Sequence, residues 1–375
     1  MLGVSIRRPL AKPRLSWYIK AGARDRPPQT QRGGCRRRQE ECEGGVYTAL
    51  DPHGISVIGA RIPSVGVGGS IEILGGLRGF PLFWPVWACV KNFEVILSND
   101  TIIDTNSEKN PDLFWALKGG GANFGVVTRF DLYSIPVHNI WYQVDSNATV
   151  ALFVGLDTAT LALKFSTPSE DQPACYAPFN HIPAIAYPVP AASGTVLALT
   201  QISGVAAESA LPRMKRHDYR GVSSKINAQL YKEVYRVWRE KALAVRADTG
   251  ANQTFALQPV TAYMVQRGIE RGGNCLELAV ENATWWTTLI DWENEKNDEI
   301  IRGVSIATTE KWEELGRERG LHVGFVYMGD ASRDQNPLLS YGEENLKRLR
   351  EVSDKHDPGK VFQELQGGGF LLSRV

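Results

Sequence analysis

The 375-residue sequence predicts an α+β fold, and three observations predict it. The composition is that of a globular chain, 43% apolar and 22% charged with 36 Gly and 20 Pro, too apolar for a disordered one. Phe93, Val95 and Leu97 alternate with their neighbours, Ser98-Asn99-Asp100 offers a turn, and Thr101-Ile102-Ile103-Asp104 resumes an extended pattern, which together read as a β-hairpin. Other stretches keep helical spacing instead: Ile226, Leu230, Val234, Val237 and Trp238, then Leu346, Leu349 and Val352. The length accommodates about two to three domains, or one large intertwined unit.

Taken in order, residues 1–45 are the hardest to read as folded. They hold Arg36-Arg37-Arg38, the pair Pro27-Pro28 and no sustained hydrophobic period, so a poorly ordered segment is expected there. Ile55–Ile58 reads as a short strand, followed by the Gly-rich run Ser64-Val65-Gly66-Val67-Gly68-Gly69 and then Gly75-Gly76. Pro111 opens a short helix over Asp112–Leu117, because proline suits the first turn and an acid follows it. Gly119-Gly120-Gly121-Ala122-Asn123-Phe124-Gly125 is a second Gly-rich loop, and Val126–Phe130 a strand after it. The last helix carries Glu343 and Glu344 at its start and Lys355 and His356 at its end, both favourable to the helix dipole, and Asp357-Pro358-Gly359 stops it.

Charge narrows the function classes. The net charge is +1, but residues 1–40 hold eleven Lys/Arg against two Asp/Glu, so the remainder is mildly acidic. Nucleic acid is therefore not the expected partner of the body. The five cysteines (Cys35, Cys42, Cys89, Cys175, Cys275) have no Cys-x-x-Cys spacing, and the six histidines are isolated, so neither a disulfide framework nor a zinc site is expected. No apolar run reaches the ~18 residues of a membrane span, and the N-terminus lacks the apolar core of a secretory signal. A cytoplasmic location, with no membrane partner, is the expectation.

Glycine lets backbone N–H groups approach a ligand closely, so Gly-rich loops beside strands suit phosphates and flat cofactor rings. Neither loop is a Walker A motif, and neither has the Gly-x-Gly-x-x-Gly context of a dinucleotide fold. One such loop alone is more often a turn, but two close together raise the expectation of a cofactor.

These residues resemble the berberine bridge enzyme-like FAD-linked oxidoreductases of the vanillyl-alcohol oxidase superfamily. The resemblance runs over residues 46–375. Asp51-Pro52-His53-Gly54 with Pro63–Gly69 is similar to the family's second flavin loop, and Trp87-Ala88-Cys89 with Asn92–Val95 to the segment after it. Asn110-Pro111-Asp112-Leu113-Phe114-Trp115-Ala116-Leu117-Lys118-Gly119 through Phe130 is the most specific match, and Tyr341-Gly342, Asn345, Leu349, Asp357-Pro358 and Val361-Phe362 resemble the C-terminal signature. The resemblance implies part of a PCMH-type FAD-binding domain over 46–140, an antiparallel-sheet substrate domain covered by helices over 141–335, and a return to the first domain over 336–375. Residues 1–45 fall outside it.

It further implies FAD as cofactor, hydride transfer from a small organic substrate to flavin N5, O2 as acceptor, and a setting in secondary metabolism. The cofactor-binding positions it marks are Pro63, Ser64, Val65, Gly66, Gly68, Gly69, Gly75, Gly76, Asn123, Gly125, Val126 and Val127. Asp330, in Tyr327-Met328-Gly329-Asp330, is the candidate base, with an ordinary loop carboxylate or helix cap as the other reading; Tyr341 either faces the flavin or packs the C-terminal helix. Trp84 and Trp87 are read as core.

The chain departs from the family pattern in several places. The family's Arg-Gly-Gly-Gly-His loop belongs well upstream of Asp51, and Arg32-Gly33-Gly34-Cys35 is only an echo of it, with no strand before. Ile62 stands where some relatives carry a flavin-linking cysteine, Ser70–Leu74 separates Gly69 from Gly75, and the Asp-Asn pair that follows Cys89 in relatives is missing. The expectation is therefore weak FAD binding and slow turnover. Two rivals remain at this point: a non-catalytic descendant that binds a small molecule, and a basic N-terminal arm that binds an acidic partner.

Overall fold

The computed structural model describes residues 3–7, 18–21, 43–59, 63, 66–67, 90–136, 148–165, 171–187, 193–202 and 216–375. The first half of the chain supplies β1 (Gly3–Arg7), β2 (Tyr18–Ala21), α1 (Glu43–Leu50), β3 (Ile55–Ser56), β4 (Val90–Ile96), β5 (Ile102–Thr105), α2 (Pro111–Leu117), β6 (Val126–Tyr133) and β7 (Ile135–Pro136). The second half adds β8 (Ala148–Val154), β9 (Ala159–Phe165), β10 (Arg216–Lys225), α3 (Ala228–Thr249), β11 (Asn252–Gln253), β12 (Phe255–Val260), α4 (Ala262–Glu270), β13 (Ala283–Trp292), α5 (Asp298–Glu318), β14 (His322–Val323), α6 (Glu343–His356) and α7 (Val361–Glu364). The α+β expectation holds.

Two larger antiparallel sheets organise the described residues. The first runs β2-β1-β6-β4-β5, and the second runs β14-β10-β13-β12-β8-β9 with β11 beside β13. The hairpin read from the sequence is present as β4 and β5, paired from Phe93↔Thr105 to Ile96↔Ile102. Its turn holds Asp100 at φ 63°, a left-handed conformation that a short polar side chain tolerates.

Two strands fall inside the stretch expected to be poorly ordered. β1 pairs with β6 over Gly3↔Tyr133 to Arg7↔Arg129, and β2 pairs with β1. This corrects the reading of residues 1–45 at those positions. Strands of five and four residues are too short to register as a period, and backbone pairing to a neighbouring strand supplies what the local sequence lacks.

Alternation along the long strands divides the second sheet into two faces. Trp286, Ile290 and Trp292 of β13 pack in one core with Val222, Phe255 and helix residues Leu230, Val234, Trp238, Ile301, Val304 and Trp312. Trp285 and Ala283, of opposite parity, belong instead to the core shared with the first sheet and with Leu113, Phe124, Leu338 and Tyr341. β10 follows the same rule, because its register to β13 is unbroken from Arg216↔Trp292 to Lys225↔Ala283. One face therefore lies under α3 and α5, and the other is turned toward the first half of the chain.

The helix-forming stretches behave as their spacing predicts, with one difference. Leu230, Val234 and Trp238 line the buried side of α3, but Ile226 precedes the helix and is exposed, because Asn227 caps it by accepting the Leu230 amide at 2.9 Å. Leu346, Leu349 and Val352 are the buried side of α6. No helix among the described residues is long and apolar enough to cross a membrane.

Glycines in this fold divide by what surrounds them. A Cβ at Gly125 would lie 2.5 Å from Val95 Cγ1 and 2.8 Å from the Ile96 carbonyl oxygen, whereas one at Gly303 in α5 meets nothing within 4 Å. Gly125→Ala should therefore destabilise the protein by about 1–3 kcal/mol in urea unfolding. Gly303→Ala should stabilise it by about 0.5–1 kcal/mol through helix propensity. Equal shifts for the two variants would contradict this assignment.

Candidate functional site

The Gly119–Gly125 loop leaves the C-terminus of α2, and its own packing explains its glycines. Gly119 has φ 124° and Gly121 φ 66°, conformations that side-chain-bearing residues rarely adopt. A Cβ at Gly119 would lie 2.5 Å from Leu276 Cδ2, and one at Gly120 would lie 2.5 Å from the Ala116 carbonyl oxygen. Protein therefore fills the space that a ligand would need on those sides.

Asn123 is fully buried at the centre of the loop. Its Nδ2 donates to the carbonyls of Gly120 at 2.7 Å and Phe370 at 3.0 Å. Its Oδ1 accepts from the Leu372 amide at 2.9 Å and from Gln363 Nε2 at 3.1 Å. A primary amide has two donor hydrogens and two acceptor lone pairs, so all its capacity is taken. The Asn123 side chain therefore fastens the loop to the C-terminal segment.

Tyr341 has a comparable place. It is fully buried, its hydroxyl donates to the Gly119 carbonyl at 3.0 Å, and burial pushes its pKa well up. Its single proton is committed to that carbonyl. Lys118, also fully buried, donates from Nζ to the Arg271 carbonyl at 3.1 Å and sits 4.1 Å from the centre of the Phe114 ring. Burial pushes its pKa down to about 7, opposed by the nearby Cys275 thiol. Cys275 is held up by its own burial, and its Sγ donates to the Lys118 carbonyl at 3.6 Å.

Asp330 stands at the end of the short turn Met328–Asp330 and is 1% exposed. Its Oδ2 accepts from Gln258 Nε2 at 3.0 Å, a charge-assisted bond worth about 1.5–3 kcal/mol. A Cβ at Gly221 would lie 3.5 Å from Asp330 Cβ, and one at Gly121 only 3.2 Å from Met328 Sδ. The Asp330 turn is thus wedged between the glycine loop and β10. Gln335 straps the same stretch to the edge of β10, accepting the Gly221 amide at 3.2 Å and donating to the Gly221 carbonyl at 2.8 Å, as a paired strand would. Behind it, Ser332 Oγ donates to Asp218 at 3.0 Å, and Arg302 Nε donates to the same carboxylate at 2.7 Å.

The sheet face below Asp330 is unusually polar for a buried surface. Gln258 lies opposite Trp285, and Gly221 opposite Thr287. Trp285 Nε1, Thr287 Oγ1 and Asp291 Oδ2 are buried with no hydrogen-bond partner, a state that costs about 1–3 kcal/mol per group unless something else completes it. Parity puts all three on the face turned toward the glycine loop. A flat ring bearing nitrogen and carbonyl acceptors would satisfy the two donors, so the residues present fit a flavin.

The other expected positions divide in two. Val127 is buried, Val126 and Gly66 are exposed, and Pro63 accepts the Gly44 amide at 2.9 Å. Ser64, Val65, Gly68, Gly69, Gly75 and Gly76 lie outside the described residues, as do Arg32–Cys35, Ile62, Trp84 and Trp87. Gln258 and Gln335 were not legible in the sequence, since a lone glutamine in a strand or loop carries no spacing signal.

The chain matches none of the known protein-family profiles. It is 30% identical over 356 residues to an FAD-dependent monooxygenase of Arthrobotrys oligospora, with 88% of this chain and 68% of that protein covered. Among solved structures it is similar to xylooligosaccharide oxidase from Myceliophthora thermophila, with TM-score 0.67 and 15% identity over 87% of this chain and 76% of that one. It is also similar to berberine bridge enzyme, with TM-score 0.63 and 15% identity over 87% and 75% of the two chains.

The buried Lys118 gives a test by pH. Its folded pKa, about 7, lies below the ordinary lysine value of 10.5 that holds in the unfolded chain, so the unfolded chain binds more protons between those limits and stability rises with pH there. The rise is on the order of 1.4 kcal/mol per pH unit for this one group. Urea unfolding of wild type and Lys118→Met across that range should show the slope shrinking in the variant; parallel curves would refute the lowered pKa of this buried amine.

Proposed function

The chain belongs to the berberine bridge enzyme-like FAD-linked oxidoreductases of the vanillyl-alcohol oxidase superfamily, and on that premise we propose that it oxidises a small organic substrate at a C–H bond bearing a hydroxyl or amine. FAD is the cofactor, and relatives act in fungal secondary metabolism. When bound, the flavin supplies the acceptor for the hydride, and dioxygen is the proposed final acceptor.

The observation that supports this reading is the meeting of the glycine loop, the Asp330 turn and a polar sheet face. In the proposed arrangement residues 46–140 and 336–375 hold the cofactor and 141–335 the substrate. The backbone of Gly125, Val126 and Val127 would line the cofactor, together with Pro63 and Gly66; Ser64, Val65, Gly68, Gly69, Gly75 and Gly76 lie outside the described residues. Asp330 takes the proton from the substrate hydroxyl or amine as the C–H hydride departs, leaving a carbonyl or imine. Gln258 holds the Asp330 carboxylate toward the sheet face, and Trp285 Nε1 and Thr287 Oγ1, which have no protein partner, would be the donors available to acceptors on the bound cofactor or substrate. Tyr341 acts as a positioning residue through Gly119. Burial of these groups excludes water and strengthens each contact.

The experiment begins with the absorption spectrum of the purified protein before and after FAD is added. Added FAD should bind, with a shifted and resolved blue absorption band. An anaerobic panel of oligosaccharides, benzylic alcohols and cyclic amines should then contain a member that bleaches that band. Asp330→Asn should leave the bound spectrum unchanged and slow bleaching by about a hundredfold or more, the usual loss of a general base. A variant that bleaches at the wild-type rate removes Asp330 from the chemistry, and a protein that never binds FAD removes the reading altogether.

A further inference from the structure

The polar face of the second sheet continues well past Asp330. His217 and Asp291 are directly opposite each other on β10 and β13, and the parity that turns Trp285 and Thr287 toward the glycine loop turns this pair the same way. The His217 Nδ1 is hydrogen-bonded to Asp291 Oδ1. The Asp291 side chain is 4% exposed, and its Oδ2 is buried without a partner. The His217 side chain is 53% exposed, and Tyr219, the next residue on that face, is 40% exposed.

A carboxylate this deep carries a desolvation penalty that one imidazole on one oxygen does not offset. Burial raises the Asp291 pKa and the His217 contact lowers it. The second oxygen is an acceptor with nothing to accept. Arg216 and Asp298, the neighbouring charges, are engaged with each other on the helix-covered face, and Asn252 is the residue opposite Asp291 on the other side. The pair thus has the form of half a polar contact, a buried carboxylate oxygen without a partner beside an imidazole that is half exposed.

We propose that His217 and Asp291 form a distal anchor for the substrate, taking a hydrogen-bond-donating group, a hydroxyl or a protonated amine, at the end remote from the oxidised carbon. The inference rests on the proposed oxidation at Asp330 and narrows its substrate class. Asp330 lies beside Gly221, which is opposite Thr287, and Asp291 is four residues further along the same strand. At about 3.3 Å per residue the anchor is about 13 Å from the reacting end. The substrate class is therefore elongated, with an apolar middle over Leu289 and Tyr219 and a donor at the far terminus.

The test uses two probes of equal length, decanol and aminodecanol with its amine at the far end, titrated calorimetrically into FAD-saturated protein. Wild type should bind the amine at least tenfold more tightly. Asp291→Asn should abolish that preference, and His217→Gln, a change at an exposed side chain that keeps the fold, should reduce it about threefold or more. An unchanged preference in His217→Gln and Asp291→Asn, or none in wild type, would overturn the anchor. The same titration on protein without FAD separates the two readings, because the anchor contains no flavin contact. A preference that survives without FAD leaves the anchor standing whether or not the oxidation reading does.

Discussion

Asn123 commits both donors and both acceptors to protein, one contact within its own loop and three on a segment up to 249 residues away in sequence. A buried amide in that state is hard to replace, because removing it strands several partners at once. The candidate site depends on it. The C-terminal segment that it fastens also brings α6 against α2, where Lys355 Nζ and His356 Nε2 meet Asp112 at 2.7 and 3.1 Å. Tyr341, just before α6, then holds Gly119, and Gly121 abuts Met328 beside Asp330. A long-range closure of this kind is expensive in chain entropy, and one saturated amide with an ion pair and a buried phenol is what offsets it.

The second sheet serves two purposes because its strands alternate. On β13, Trp286 and Trp292 fill the core under the helices, while Trp285, Thr287 and Asp291 carry polar atoms to the opposite face. Rigid packing on one side is what permits unsatisfied polar groups on the other. The Asp330 turn is held over that face from two directions: Gln258 reaches it from within the sheet, and Gln335 ties the following residues to the edge. Neither contact touches the backbone of the turn itself, so the carboxylate is fixed by its surroundings.

Much of the local structure was legible. The Phe93–Asp104 hairpin, the helix opened by Pro111, the strand after Gly125 and the charge-complemented α6 all follow from patterns within a dozen residues. What escaped was set by distant partners. The strands at Gly3–Arg7 and Tyr18–Ala21 exist because a neighbouring strand pairs with them. Asn123 reads as a loop residue near a cofactor, and only its contacts to Phe370 and Leu372 reveal a fastening. Asp330 was found through its motif, but its partner Gln258 lies 72 residues away, and the facing of His217 and Asp291 requires the strand register. Sequence pattern encodes which face a residue takes; it does not encode what meets that face.

The dependence of the site on the Asn123 fastening is most directly tested by the FAD affinity of Asn123→Ala, titrated by flavin fluorescence alongside tryptophan emission from the core under α3 and α5. The account predicts that the tryptophan signal stays native while FAD affinity falls by about tenfold or more, as the glycine loop loses its hold on the C-terminal segment. Wild-type affinity in a variant with a native tryptophan signal would contradict it.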